Sequence, residues 1–267
     1  PCPYIEGRIE RRVVTELVGR DANALHDQLS MAGFRRSHGI CYVPACPTCD
    51  ACVAVRVVVD EFKPGKSFKR ILKRNADLTA EIVEPIATHE QYALFSDYQR
   101  ARHQGGDMSK MDFLDYQALI EDTPVNTFVV EFRKPSGTLA AACLVDRLSD
   151  GLSAVYSFFD EAETDRGLGT YMILWLIDEA YGQELPYMYL GFWIDGCSNM
   201  SYKARFKPLE RITPEGPMVL RRARLDVHFY DVKGKLTYAD VHVVSAQSIN
   251  AARCTEFAAK PGVAAVA

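Results

Sequence analysis

Cys41, Cys46, Cys49 and Cys52 are spaced C-x4-C-x2-C-x2-C. Two overlapping C-x2-C steps in one loop bring thiols toward a single point, as a soft metal or an iron–sulfur cluster needs. Pro44 and Pro47 stiffen the loop. Cys2 competes with Cys41 for the fourth place. Cys46, Cys49 and Cys52, with Cys2 taken as the fourth and Cys41 its rival, are the candidate ligands for zinc or an iron–sulfur cluster. The same crowding also suits reduced or disulfide-forming cysteines with a structural job.

A second constellation is cationic. Lys63, Lys66, Lys69, Arg70, Lys73 and Arg74 follow one another with no acid among them. On a helix, Lys66, Lys69, Arg70, Lys73 and Arg74 share one broad face, while Ile71, Leu72 and Leu78 lie mostly away from it. Such a run is often only a solvated face. In a chain of net charge −4 a single-signed stripe fits a phosphate backbone. A third group, Tyr202, Lys203 and Arg205, falls just after a strand-like segment, where open α/β sheets place ligands. The bland alternative is a short basic surface helix. His103 sits in a glycine-rich break and reads first as a hydrogen-bonded loop residue.

These residues need a frame. Thr127–Arg133, Leu139–Val145 and Leu152–Phe159 are strand-like runs separated by Lys134-Pro135-Ser136-Gly137 and Ser149-Asp150-Gly151, which predicts an antiparallel meander. Arg166-Gly167-Leu168-Gly169-Thr170 then opens an apolar helix over Tyr171–Ile177, stopped near Gly182. Pro186 to Ile194 is strand-like again. A strand, a helix and a second strand imply a right-handed crossover and a parallel pair. Upstream, the pattern predicts a strand at Ile9–Leu17, a helix at Ala22–Ala32 ended by Gly33, and a strand at Val53–Val59. Two helices are expected over 88–122, the first capped by Thr88 with Gln91 and the second at Met111–Ile120. Leu225–Val232 and Leu236–Val244 read as a hairpin, and Ser245 to Ala267 as a short helix and loose tail.

Size and composition limit the classes. The 267 residues are 48% hydrophobic, enough for a real core in one large domain or two small ones. No apolar run approaches the roughly 18–20 residues a membrane span needs. The acidic balance argues against a general nucleic-acid coater, so no DNA partner is expected. Five of the eight cysteines fall between positions 2 and 52. A secreted disulfide framework more often spreads them, so a cytoplasmic protein is expected. No signal peptide is visible, and the chain starts at Pro1 without Met.

The element order resembles the GNAT acyltransferase fold, an α/β (α+β) architecture. Here it carries a Cys-rich N-terminal region and a C-terminal extension. Arg166 and Gly169 match the R-x-x-G-x-G/A turn that faces a phosphate in acetyl-CoA-dependent members, but the last position is Tyr171. More specific blocks resemble the bacterial aspartate/glutamate leucyltransferase family, related to the arginyl-tRNA–protein transferases. They are Cys2-Pro3-Tyr4 with Gly7-Arg8, Gly33-Phe34-Arg35-Arg36-Ser37, Pro44-Ala45-Cys46 and Ala51-Cys52-Val53. Others are Arg74-Asn75-Ala76-Asp77-Leu78, Met111-Asp112-Phe113, Leu148–Asp160, and Met200 with Tyr202-Lys203. The likeness covers about positions 1 to 210. It departs at Asn199, where the family carries Lys, and ends by about Arg224. The expected division is 1–85 Cys-rich and basic, 86–224 GNAT-like, and 225–267 of open role.

The resemblance implies transfer of leucine from leucyl-tRNA, as co-substrate, to proteins that begin with Asp or Glu. That mark leads to degradation by the N-degron route. The ester is already activated, and an α-amine of ordinary pKa about 7.7–8.0 is partly uncharged at neutral pH. Positioning then matters more than a strong base. Lys203 and Arg205, with Tyr202 beside them and Arg8 behind, are assigned to the acidic acceptor. Asp146 and Tyr156 are candidates for the proton transfer. The basic face from Lys66 to Arg74 would carry the tRNA, and Phe158, Phe192 and Trp193 a leucine pocket. An arginyl transferase, an acetyl-CoA-dependent acetyltransferase and a non-enzymatic metal or redox sensor are the competing readings.

Overall fold

A computed structural model describes residues 1–197, 199–212, 224–230 and 236–242, the last two stretches as backbone strands. The expected helix and tail from Ser245 lie outside the described residues, as does the turn at Lys233-Gly234-Lys235. In chain order the elements are β1 (Arg12–Glu16), α1 (Ala22–Met31), β2 (Arg35–Ser37), β3 (Ile40–Pro44) and β4 (Val53–Val58). Next come α2 (Lys66–Arg74), β5 (Thr79–Val83), α3 (His89–Arg102), α4 (Phe113–Glu121), β6 (Thr127–Arg133), β7 (Leu139–Leu148) and β8 (Gly151–Phe159). The last are α5 (Leu168–Gly182), β9 (Tyr187–Trp193), β10 (Leu209–Ile212), β11 (Arg224–Tyr230) and β12 (Leu236–His242). The chain forms two compact units, Pro1–Arg56 with Leu190–Ala267, and Val57–Tyr189.

The unit Val57–Tyr189 holds the meander. β5, β6, β7 and β8 pair antiparallel in sequence order, as the turn signals predict. β8 then pairs with β9 in parallel, the strand direction the α5 crossover requires. That pairing covers only Gly151–Ser153 against Tyr187–Tyr189, while β8 runs on to Phe159. Gly151 permits the close approach, since a Cβ there would collide with the Tyr187 carbonyl. A register shift sets Leu144 opposite Tyr156 and Val145 opposite Ala154, which leaves Val155 as the extra residue of a bulge. A meander, a bulge, a crossover helix and a parallel strand that soon leaves its partner make the fold GNAT-like.

The helices are placed by apolar faces and by caps. Thr88 and Asp112 each close a capping box, with Gln91 and Asp115, at the starts of α3 and α4. Phe95, Tyr98, Tyr116, Leu119 and Ile120 then bury against Val129, Ala142, Leu144 and Phe158. Ala140, Ala141 and Ala142 of β7 are fully buried. Both α3 and α5 pack on that strand, and the small side chains let them come close. Burying a ring such as Phe95 contributes about 1.5–3 kcal/mol.

The unit Pro1–Arg56 with Leu190–Ala267 is built on a second sheet, of order β12-β11-β1-β3-β2. β1 is shorter than the expected Ile9–Leu17. β11 and β12 pair antiparallel, with Arg224 opposite His242 and Tyr230 opposite Leu236. Gly33 ends the α1 segment in the left-handed region, φ +86°, where glycine is favoured. The chain then enters β2, which directs Arg35, Arg36 and Ser37 against β3.

Candidate functional site

In the unit that holds Lys203, a short 3-10 helix, Ser201–Arg205, follows β9 and buries the Lys203 side chain. Its Nζ donates to the backbone oxygen of Phe192 at 2.6 Å. Burial first, and then the charge of Arg35, bring the lysine down to about 7, while Cys197 pulls the other way. Among the described residues no carboxylate bonds to that ammonium. Phe192 is buried, with its ring 5.9 Å from that of Tyr42. Tyr42 also carries the Arg12 guanidinium over its face at 4.8 Å, and Arg12 is bonded to Glu10 at 2.7 Å. The Tyr4 phenol is raised by its burial and by Tyr42, and lowered by Arg35. Lys203 thus lies among aromatic rings and other cations.

The other residues assigned to an acceptor site differ in exposure. Tyr202 is half-buried and Arg205 exposed. Arg8 is exposed and donates to the Thr48 carbonyl at 3.1 Å. Trp193 is half-buried, with the Arg211 guanidinium 5.4 Å above its ring.

In the unit Val57–Tyr189, Asp146 is fully buried and accepts a hydrogen bond from Thr127 Oγ1 at 2.8 Å. Tyr156 lies beside the bulge, and its oxygen accepts from Gln99 Nε2 at 2.5 Å. Burial pushes the phenol up to about 12, against a small downward pull from Gln99. At neutral pH it is a proton donor. Its hydroxyl hydrogen has no acceptor among the described residues. Phe158 is buried in the aromatic core, edge-on to Phe95 at 5.6 Å.

The basic run folds as α2, a little shorter than its cationic stretch. Lys66, Lys69, Arg70, Lys73 and Arg74 are all exposed, and Phe68 is the residue it buries. None of the five forms an ion pair among the described residues. Asn75, fully buried at the end of α2, donates from Nδ2 to Ile71 O and to Arg166 O, both at 2.9 Å. Arg166 forks onto Asp77 at 2.7 and 3.0 Å and reaches Glu163 at 2.8 Å. These bonds fasten α2 to the turn before α5. In that turn Gly167 is left-handed, and a Cβ on Gly169 would lie 3.1 Å from the Phe159 ring. Tyr171, whose bulk would crowd a phosphate over the turn, is instead buried edge-on against Phe132. The turn is taken up with packing and ion pairs.

The cysteines give a mixed result. The Cys52 thiol is pushed up to about 12, by burial and then by Cys2, Cys46 and Cys49, so these four sulfurs share one neighbourhood. Cys46 interacts with the backbone of Arg11. Yet no three His, Cys, Asp or Glu side chains among the described residues are arranged as ligands of one ion. The donor chemistry suits a soft metal, and the geometry does not converge on one.

Two family models cover most of the chain. Arginine-tRNA-protein transferase, N terminus, matches residues 1–70, and Arginine-tRNA-protein transferase, C terminus, matches residues 90–213. The chain belongs to the arginyl-tRNA–protein transferase family. Within that family it is similar to the aspartate/glutamate leucyltransferase of Paramagnetospirillum magneticum, at 56% identity over 81% of this chain and 88% of the relative. The enzyme of the same name from Rhodospirillum rubrum is 56% identical over 79% of this chain and 86% of the relative. That of Gluconacetobacter diazotrophicus is 54% identical over 79% and 81%. This member of the transferase family has no helix, among its described residues, long and apolar enough to cross a membrane. Sequence reasoning gave no task to Arg35 or Gln99. Arg35 stood only as one letter of the Gly33–Ser37 block, and Gln99 carried no signal beyond a helical position.

Proposed function

We propose that this transferase moves leucine from leucyl-tRNA to the N-terminal Asp or Glu of acceptor proteins, in the cytoplasm. Buried Lys203, without a carboxylate among the described residues, carries the reading. A largely desolvated ammonium against a carbonyl suits an incoming acid. Lys203 takes the acceptor's side-chain carboxylate, with Tyr202, Arg205 and Arg8 shaping the approach. The tRNA arm lies on Lys66, Lys69, Arg70, Lys73 and Arg74. Phe158, Phe192 and Trp193 are assigned to the leucyl side chain.

The acceptor's α-ammonium first loses a proton. Its lone pair then attacks the ester carbonyl, forming the C–N bond and an oxyanion. Collapse breaks the C–O bond to the ribose. The nitrogen sheds a second proton and the ribose oxygen gains one. Tyr156, a phenol held protonated by burial, suits donation to that leaving oxygen. Asp146, buried on Thr127, is assigned to taking a proton from the amine. Zinc or an iron–sulfur cluster at Cys2, Cys46, Cys49 and Cys52 rests on donor chemistry alone, and none of these steps passes through it. Metal analysis of anaerobically purified protein tests that part.

Transfer assays with leucyl-tRNA, arginyl-tRNA and acetyl-CoA on one Asp-starting peptide test the whole. Leucyl transfer is expected. Transfer from arginyl-tRNA alone would move the chain to the arginyl branch, and acetylation would overturn the aminoacyl reading.

A further inference from the structure

Gln91, Phe95, Tyr98 and Gln99 are the residues that α3 buries. Gln91 is accounted for by its capping box and by its bond to Glu131 at 2.8 Å. Gln99 has neither. It is 1% exposed, and a buried amide weakens a core unless its atoms are paired. Its Oε1 has no partner among the described residues. Its Nε2 donates to the Tyr156 oxygen at 2.5 Å. An apolar residue of the same volume would fill this stripe without the cost. The bond to Tyr156 is what sets Gln99 apart from such a residue. That bond also fixes a direction. The phenol oxygen carries one hydrogen and two lone pairs, and Gln99 takes up one lone pair. The hydrogen then leaves the oxygen on another side, away from the amide. Phe95 stands edge-on to the same ring at 6.1 Å. Tyr98 is the ionisable neighbour that bears on Tyr156. Its own phenol is raised by burial, with Arg102 lowering it and Glu161 raising it.

We propose that Gln99 is a positioning residue for leucyl transfer. It holds the Tyr156 hydroxyl with its hydrogen toward the leaving ribose oxygen, and it steadies the phenolate left when that hydrogen departs. The inference rests on the transfer reading above and deepens it. When the ester C–O bond breaks, its electron pair goes to the ribose oxygen. The Tyr156 O–H bond breaks as a new O–H bond forms there. The phenolate regains a proton shed by the acceptor nitrogen and carried by water, so protons balance over the turnover. During the step negative charge grows on the Tyr156 oxygen, and an N–H donor binds a phenolate more strongly than a phenol. Gln99 pulls the phenol downward for that reason, against the upward push of burial. The donor is already in place, so nothing has to rearrange as the charge appears. Gln99 acts through Tyr156 and not on the substrate.

The test is leucyl transfer to an Asp-starting peptide by the full chain. Gln99→Met keeps the volume and removes the donor. It is expected to lower kcat about 10-fold or more, with KM for the peptide and for leucyl-tRNA unchanged. In a Tyr156→Phe background the same substitution is expected to add no loss, because the hydroxyl it serves is gone. Gln99→Glu gives a second readout. Its protonated carboxyl donates as the amide does, whereas its carboxylate only accepts and draws the phenolic hydrogen to itself. A buried glutamate titrates well above its usual range, so the rate relative to the unaltered chain is expected to fall about 10-fold between about pH 6 and about pH 8.5. This variant decides the matter if Gln99→Met does not fold. A folded Gln99→Met with full kcat, or with the same loss in both backgrounds, would overturn the role of Gln99 and leave the transferase reading standing. A Gln99→Glu rate ratio flat across that pH range would do the same. No leucyl transfer by the unaltered chain would overturn both.

Discussion

The Lys203 ammonium sits 2.6 Å from the carbonyl oxygen of Phe192, and its side chain is only 6% exposed. A charge in that position costs stability, and the sign of its pH dependence follows. Its pKa falls from 10.5 to about 7 on folding. Below about 7 both states carry the proton, and the burial penalty is full. Between about 7 and 10.5 the unfolded lysine holds a proton that the folded one has shed, so stability rises with pH across that window.

Lys203→Met is therefore expected to melt higher than the unaltered chain at pH 6 and to lose most of that advantage by pH 10. One unit of depression corresponds to ~1.4 kcal/mol, which puts the gain on the order of a few kcal/mol at the acid end. Thermal unfolding at both pH values checks this. The same variant should lose transfer to Asp-starting peptides. A more stable and inactive protein would separate the role of this lysine in recognition from any role in folding.

Neutralising Lys69, Arg70 and Lys73 together, each to Gln, should weaken leucyl-tRNA binding and lower the slope of log affinity against log salt by about one per charge removed. The melting temperature should stay within a degree or two, because these side chains are exposed and form no ion pair among the described residues. A binding titration at several salt concentrations reads the slope. An unchanged slope would remove α2 from the tRNA path.

Tyr156→Phe takes away a phenolic proton and an acceptor for Gln99. Loss of a general acid lowers kcat by about 100-fold or more, with KM for the peptide little changed. The orphaned Gln99 amide should cost about 1–3 kcal/mol of stability. Single-turnover transfer separates the two effects, since a purely structural residue would lower stability and leave the chemical step alone.

Gly169→Val would press a branched side chain onto the Phe159 ring, where even a Cβ stands 3.1 Å away. The expected loss is about 1–3 kcal/mol, read by denaturant unfolding. The same change at Gly182, which has open space around it, should cost far less.

Much of the frame was legible because its signals are local. Thr127–Arg133 was bounded by composition on one side and by Lys134-Pro135-Ser136-Gly137 on the other, and β6 has those ends. Thr88 with Gln91 marked the start of α3 for the same reason, since a capping box is complete within four residues. β2 and β3 were not anticipated. Both are short and β2 is polar, and their strand character comes from pairing with one another and, for β3, with β1. The meeting of Arg35 with Lys203 was out of reach for a deeper cause. It depends on one left-handed glycine and on two segments far apart in sequence. Cysteine spacing, conversely, states which sulfurs lie in one loop, but loop conformation decides whether they face a common point.

Helix α2 is fastened through its apolar side chains and its C-terminal end. Phe68, the contact of Ile71 with Gly167, and the two bonds from Asn75 fix it, while the five cations point elsewhere. Anchor and charge can therefore vary independently. On the proposed tRNA path, surface lysines of α2 can be exchanged one at a time without renegotiating how the helix sits. In an engineered version the same freedom would allow the donor affinity to be adjusted like a dial.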